Sequence, residues 1–438
     1  MISGQAIGPI EVPGPREPYD LGGSEESLER LREYTREYGD FFRVYSPQRA
    51  SYTYVVNNPD AIKRVFLTNH RNYTKGVGTD QITILLGRGI MTSEGDYWHR
   101  QRRMLQPAFH RRVIDRFGPV ISEATANCVE RWRTLALRGE PVNITEAASE
   151  ITLDINLRAI FGTDLKLIRD RFGENPFSIV HTESNRDLKF AYRIRSLAAV
   201  VRELIARRRE HPQQEHFDFF GMALGARDKE TGETMSEKQL IDEVLTLVVA
   251  GHETTATALT WTWYLLGRHP DVQEELSASA QQLPADRVLG IDEMEAWSCG
   301  QQVIKEALRL CPPGWIMSRR AIGPDVLLGA PIAPGTDVFI SPYFVHRHPA
   351  HWSDPERFDP HRFNEAANAA RNRFAYIPFG VGPRHCIGEG LAMYEIATHL
   401  AALTRRFRLT PLTDEPPHIE ARINYRLRSD LYMRVQAV

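Results

Sequence analysis

Cysteine is scarce in this chain. Only four occur in 438 residues, Cys128, Cys299, Cys311 and Cys386, and no two stand in a Cys-x-x-Cys spacing. Their rarity argues against structural zinc, an iron–sulfur cluster or a disulfide framework, and it suits a reducing cytosol. No apolar run approaches the length of about 20 residues needed to cross a bilayer. Met1 to Asp20 carries glycine and proline instead, so a membrane anchor is not expected. Charge of one sign is not in excess either. With 54 basic against 56 acidic residues the net charge is −2, which disfavours nucleic acid as a partner and an acidic tail. Internal repeats and long low-complexity tracts are missing. What is present is apolar material, 42% of residues, enough to bury a large core in a chain long for one ordinary domain.

The hydrophobic periodicity is mainly α. Helical spacing from Glu25 to Tyr38 is followed by Phe42-Arg43-Val44-Tyr45 and Tyr52-Thr53-Tyr54-Val55-Val56, a strand pair. Amphipathic segments run through Cys128, Ile151 to Phe161 and Leu197 to Arg209, the last closed by His211-Pro212. Arg207, Arg208 and Arg209 complement the dipole of that helix and read as a solvated helix end rather than a binding patch. The longest helix starts at Ser236, with Gln239 completing a capping box, and runs to about Arg268. Its length is on the order of 50 Å, enough to cross a domain. Asp242, Glu243, His252 and Glu253 interrupt it, so it is not a membrane span. Beyond Gly323 come short β segments, Val326 to Leu328 and Val338 to Ile340, with a turn at Pro334-Gly335. From about Asp354 to His385 a long irregular stretch leads to the last cysteine.

That cysteine sits in Phe379-Gly380-Val381-Gly382-Pro383-Arg384-His385-Cys386-Ile387-Gly388. A thiolate binds metal only where its anionic form is supported. Gly380 and Gly382 can adopt angles that turn N–H groups toward sulfur, and Gly388 lets the chain lie close to a flat ring. Cys386 therefore reads as a thiolate ligand to haem iron, with a helix through Leu391, Ala392 and Ile396 beginning at the metal. A buried free cysteine in a Gly-Pro turn is the plainer alternative, and the residues at these offsets weigh against it. Within the long helix, Ala250-Gly251-His252-Glu253-Thr254-Thr255 breaks an apolar run. Glycine costs roughly 1 kcal/mol there relative to alanine, and threonine can bond back one turn and bend the helix. Glu306 and Arg309 share a helix face ahead of Pro312-Pro313, a spacing worth about 0.3–0.5 kcal/mol when exposed.

The cysteine segment resembles the signature of the cytochrome P-450 family, the haem-thiolate monooxygenases: Phe-x-x-Gly-x-Arg-x-Cys-x-Gly is matched at every fixed position. The resemblance implies a mainly α fold, a helical triangular prism with a small β-rich region. It implies an N-terminal extension over 1–24 and a single haem-thiolate monooxygenase domain over 25–438. The cofactor would be haem b (iron protoporphyrin IX), bound at Cys386 and bounded by Phe379, Gly388 and Ala250. Carried over residue by residue, Thr254 would donate a hydrogen bond at the dioxygen site and Glu253 would relay protons. Glu306 and Arg309 would lock to Arg357 of Pro355-Glu356-Arg357-Phe358 as a structural triad. The two haem propionates would be held by Trp98 and Arg102, by Arg319 in preference to its neighbour Arg320, and by Arg384, with His99 a neighbour rather than a second iron ligand.

Candidates for the pocket wall are the loop from about Val77 to Leu86, Val249 and Ala250, and Gly314, Trp315, Ile316 and Met317. Being mostly apolar, they favour a lipophilic small molecule such as a terpenoid, fatty acid, carotenoid or polyketide. The chain looks like a soluble, cytoplasmic bacterial member of the family. Residues 387–438 are too few for a fused reductase, so electrons would come from a separate ferredoxin or flavodoxin with its reductase. Arg100, Arg103, Arg111 and Arg112 either steer such an acidic donor or form a solvated helix face. A peroxide-driven peroxygenase is the second reading, and Glu253 and Thr254 argue against it. A noncatalytic haem-binding sensor is the third, and it would need neither that pair nor a pocket.

Overall fold

A computed structural model describes residues 11–22, 26–172, 176–179, 188–211 and 216–438. The long helix forms over Glu237–Arg268 and begins with the expected capping box. Gln239 N–H donates to Ser236 Oγ at 3.3 Å, and Ser236 N–H donates to Gln239 Oε1 at 2.8 Å. Apolar residues lie nearly all round it, which fits a helix buried on most sides. Leu240, Val244, Leu245, Leu259 and Leu266 are fully buried. It packs along Ile144–Phe161, Ala198–Glu210, Ser298–Leu310 and Glu389–Thr404. With Gly118–Arg138 these helices share one apolar core that includes Trp132, Phe161, Trp263 and Leu400.

Five strands form a sheet to one side. Phe41–Ser46 pairs antiparallel with Ser51–Val56, which runs parallel to Asp337–Ile340. Asp337–Ile340 pairs antiparallel with Met317–Ala321, and that strand with Tyr73–Lys75 at the edge. Alternation buries Phe42 and Val44 against the helices. Met317–Ala321 and Tyr73–Lys75 were not expected as strands, because Ser318, Arg319 and Arg320 carry no apolar alternation. A second small core, with Ile62, Phe66, Val338 and Phe374, fills the space beside this sheet.

The helix of Glu25 to Tyr38 is present over Ser27–Tyr38, while Glu25 lies outside the described residues. Within 11–22 the chain is tied to the first strand. Arg43 N–H donates to Pro13 O and Tyr19 N–H to Tyr45 O, both at 2.9 Å, and Leu21 is buried. Gly335 takes φ +81° in its turn, and the stretch from Asp354 holds only short helical turns before the cysteine. The cations at the end of Ala198–Glu210 are not all solvated. Arg207 and Arg209 are exposed, but Arg208 is buried, its guanidinium donating to Asp164 at 2.7 Å and to both oxygens of Asp218 at 2.7 and 2.8 Å. Carboxylates from two other segments converge on it, which no local pattern announces. Pro212 lies outside the described residues. Among the described residues no helix is long and apolar enough to cross a membrane.

Candidate functional site

The cysteine loop is closed by its own backbone. Cys386 N–H donates to Phe379 O at 2.9 Å, His385 N–H to Gly382 O at 3.0 Å and Gly380 N–H to Ile377 O at 3.0 Å. Gly380 and Gly382 have φ of +72° and +77°, and a Cβ on Gly382 would lie 2.1 Å from the carbonyl oxygen of Phe66. Only glycine fits there. Gly380 spends its N–H within the turn, so it shapes the loop rather than supplying a donor to sulfur. That role passes to the start of the next helix. Burial raises the thiol pKa of Cys386 and the charge of the Glu389 carboxylate adds to the rise, while the N–H groups of Gly388 and Glu389 and the charge of Arg102 oppose it. These N–H groups open the helix Glu389–Thr404, where donors have no intrahelical partner and the dipole favours an anion.

The segment leading to the loop hangs on the helix Ser298–Leu310. Arg309 donates to Glu306 at 2.6 and 2.8 Å with both side chains fully buried, and its remaining donors reach the carbonyls of His346, Pro355 and Arg357 at 2.9, 2.6 and 3.0 Å. The third member of the triad is Arg362, not Arg357. Arg362 Nε donates to Glu306 Oε1 at 3.1 Å, beside the N–H of Asp359 at 2.8 Å. The side chain of Arg357 is exposed. Pro-x-Arg-Phe occurs twice, at Pro355–Phe358 and Pro360–Phe363, and the second copy forms the 3-10 turn that packs on the Ser298–Leu310 helix.

His346 Nε2 accepts the N–H of Ile377 at 2.8 Å and so helps to hold the same segment. Burial lowers its pKa from 6.5 to about 3. Between those values the unfolded chain binds a proton that the folded one refuses, so stability is lost as pH drops from 6.5 toward about 3, by up to about 1.4 kcal/mol per pH unit. His346→Gln should flatten this part of the acid limb in urea-unfolding measurements. An unchanged slope would show that His346 titrates normally.

Beside the loop, cations crowd together. Trp98 is buried on the helix Gly95–Leu105, and the guanidinium of Arg384 lies 4.0 Å over its ring, donating to Ser93 O at 2.7 Å and pairing with Glu94. The strand pairing sets Lys75 opposite Arg319, whose guanidinium stacks 4.4 Å from the Phe66 ring centroid. Burial lowers Lys75 to about 7 and Arg319 and Arg384 to about 10, and the charge of Arg384 adds to the lowering of the other two. Glu94, and more weakly Glu243, offset these charges at Lys75. Three desolvated cations with so little compensation call for further anionic charge, and two carboxylates would supply it. Arg320 points elsewhere, bidentate to Asp337 at 3.0 Å, while Arg319 lies opposite Lys75 in the strand pairing. Arg102 donates to His385 O at 3.0 Å, next to the ligand. Lys75 and Glu94 escaped the sequence reading. Only the pairing of two short polar strands reveals Lys75.

The middle of the long helix carries the remaining candidates. A Cβ on Gly251 would meet Asn156 Oδ1 at 2.6 Å. The amide of Asn156 donates to the carbonyls of Leu247 and Val248 at 3.3 and 2.9 Å, so part of the carbonyl ladder is shared with a neighbouring helix. Thr254 Oγ1 donates to Ala250 O at 2.9 Å, the expected back-bond. Thr254 is exposed and Val249 and Ala250 are half-buried, although most of the helix is buried. Glu253 pairs with Arg426 at 3.4 Å, and Arg426 also meets Glu420 at 3.2 Å. Val77, Ile82, Leu85, Ile316 and Phe379 pack half-buried against the main core, and a side chain at Gly314 would meet nothing within 4 Å. Trp315 does not join this wall, being buried with Nε1 donating to Arg422 O at 2.9 Å.

The expected basic concentration is largely cancelled. Arg100 pairs with Asp228 and Glu233, Arg103 with Asp228 and Glu230, and Arg111 with Asp292 and Glu295. Among the described residues no group of three His, Cys, Asp or Glu side chains could hold a metal ion. A metal on Cys386 would bring its other ligands with it, and a porphyrin bearing two carboxylates fits both the thiol and the cationic cradle.

Comparison with known proteins agrees. The cytochrome P450 family profile matches residues 19–425. The chain is 30% identical to LUTEIN DEFICIENT 5, a chloroplastic protein of Arabidopsis thaliana, over 87% of this chain and 69% of that one. It is 30% identical to cyclooctat-9-en-7-ol 5-monooxygenase of Streptomyces melanosporofaciens, over 86% and 83% respectively. Among solved structures, the haem domain of cytochrome P450DA superposes with a TM-score of 0.83 at 26% identity, covering 95% of this chain and 93% of that one. Its mainly helical fold with small β regions is that of these haem domains. The chain belongs to the cytochrome P450 family and is a haem-dependent monooxygenase.

Proposed function

We propose that the protein inserts one oxygen atom into a lipophilic small molecule, by hydroxylation or epoxidation, with haem b held on Cys386. Electrons would come from a separate ferredoxin- or flavodoxin-type protein and its reductase, in the cytoplasm, and residues 25–438 would act as one catalytic unit behind an extension of 1–24. The observation that carries the reading is the conjunction of a thiol met by the N–H groups of Gly388 and Glu389 with the three half-buried cations beside it, Lys75, Arg319 and Arg384. One relative is named for cyclooctat-9-en-7-ol, and the half-buried apolar wall here suits a compound of that kind.

When bound, the haem supplies the activation of dioxygen. The chain supplies everything around it. Cys386 gives its thiolate, and the helix-start N–H groups and Arg102 lower the cost of that charge. Lys75, Arg319, Arg384 and the indole of Trp98 would hold the propionates, and Phe379, Gly388 and Ala250 would bound the ring. Glu306, Arg309 and Arg362 anchor the segment that carries the ligand. Thr254 Oγ1, now donating to Ala250 O, would turn to donate a hydrogen bond at the oxygen site. Glu253, paired with Arg426 at 3.4 Å, would relay protons to that site from solvent through its carboxylate oxygens. Val249, Gly314 and Ile316 exclude water and set the substrate.

Thr254→Ala tests the proton route. It should retain haem while product per electron drops roughly tenfold or more and peroxide accumulates. A wild-type yield would remove Thr254 from the reaction. Turnover with peroxide alone, and none with a surrogate ferredoxin and reductase, would replace the monooxygenase reading by a peroxygenase. Shifts of the haem absorption band across a panel of terpenoids, fatty acids and carotenoids would identify the substrate class.

A further inference from the structure

Away from the thiolate site, a cleft of about 250 Å³ opens between Gly118–Arg138 and the C-terminal half of Glu389–Thr404. Gly118 lies against the hydroxyl of Tyr394, and Thr125, Arg133, Thr398, Arg405 and Arg406 line the cleft together. One end of the cleft is cationic. Arg133 is paired with Glu130 at 2.8 Å, but Arg405 and Arg406 have no carboxylate partner among the described residues. Arg405 donates to the carbonyls of Leu283 and Pro284, and Arg406 to Ala402 O at 2.7 Å. The middle is apolar, lined by Ala126, Val129, Leu289 and Ala401.

The other end carries two hydroxyls. Thr125 is 1% exposed, and among the described residues neither Thr125 Oγ1 nor Thr398 Oγ1 has a hydrogen-bond partner. This departs from Thr152, Thr246, Thr260, Thr262 and Thr404, each of which returns its hydroxyl to the carbonyl four residues earlier. A buried hydroxyl left unpaired is costly unless a partner arrives. Glu395, three residues before Thr398, adds little opposing charge, since burial raises its pKa well above the ordinary carboxylic value and favours the neutral form.

We propose that this cleft binds a small anion with a second polar group at its far end. The anionic head would lie between Arg405 and Arg406, a short apolar chain over Val129 and Ala401, and the terminal hydroxyl or carbonyl at Thr125 and Thr398. Seven residues of helix separate Thr398 from Arg405, a span of about 11 Å at about 1.5 Å per residue, which matches a chain of about eight carbons. The recess excludes a broad protein face and selects for length and for polarity at both ends.

The test is calorimetric titration of the haem-loaded protein, its iron face blocked by an azole, with 8-hydroxyoctanoate. One binding event is expected, weakened roughly tenfold or more by Arg405→Gln/Arg406→Gln and by Thr125→Val. Octanoate lacks the far hydroxyl and octane-1,8-diol lacks the anion, and both should bind several-fold more weakly. Arg406→Gln alone disturbs only a helix carbonyl contact and keeps the test valid if the double variant melts early. Absence of heat, equal binding of octanoate, the diol or inorganic phosphate, or wild-type affinity in Arg406→Gln and Thr125→Val would overturn the proposal.

Discussion

Cys386→Ser should abolish the thiolate-type absorption band of the reduced carbon-monoxide complex and lower turnover by on the order of a thousandfold. The serine hydroxyl is nearly the size of the thiol, but it does not ionise in the accessible pH range. The N–H groups of Gly388 and Glu389 would then face a neutral oxygen and the iron would lose its anionic ligand. The fold should survive, because the loop is closed by backbone bonds, Cys386 N–H to Phe379 O among them, that serine retains. Unchanged far-ultraviolet circular dichroism with a lost band is the expected pair of results. A persisting band would remove Cys386 as the ligand.

Glu306→Ala should be nearly as severe by a different route. It leaves Arg309 fully buried without a carboxylate, a cost of about 3–5 kcal/mol, which is a large part of the about 5–15 kcal/mol that stabilises a typical domain. The segment that delivers Cys386 would loosen, and haem should be lost during purification. Arg362→Ala leaves the Glu306–Arg309 pair intact and should cost less, about 1.5–3 kcal/mol. Arg357→Ala should change little, since its side chain is exposed and Arg309 is met by the Arg357 backbone carbonyl, which alanine keeps. Thermal melting and haem content of the three variants check this order. A loss at Arg357 equal to that at Glu306 would reinstate the first copy of Pro-x-Arg-Phe as the anchor.

The two copies show where reading residues in order stops working. Pro355–Phe358 and Pro360–Phe363 offer the same local chemistry, and packing against the Ser298–Leu310 helix selects the second. The arginines teach the same lesson in both directions. Arg208 looked solvated and is buried between two aspartates, whereas Arg100, Arg103 and Arg111 looked like a patch and are paired with acids more than a hundred residues away. Trp315 was apolar enough for a pocket wall but had an N–H to satisfy, and Arg422 O satisfies it.

By itself the sequence determined what depends on near neighbours: the capped long helix, the first strand pair, the glycine-shaped loop around Cys386 and the back-bonded Thr254. Each rests on backbone preference or on hydrogen bonds spanning a few residues, so the information lies within one turn of chain. Only the tertiary structure decided which charges are desolvated together. It set Lys75 opposite Arg319, Arg384 over Trp98 and Arg362 on Glu306, because burial and Coulomb energy depend on distance in space, and short-range patterns do not record it.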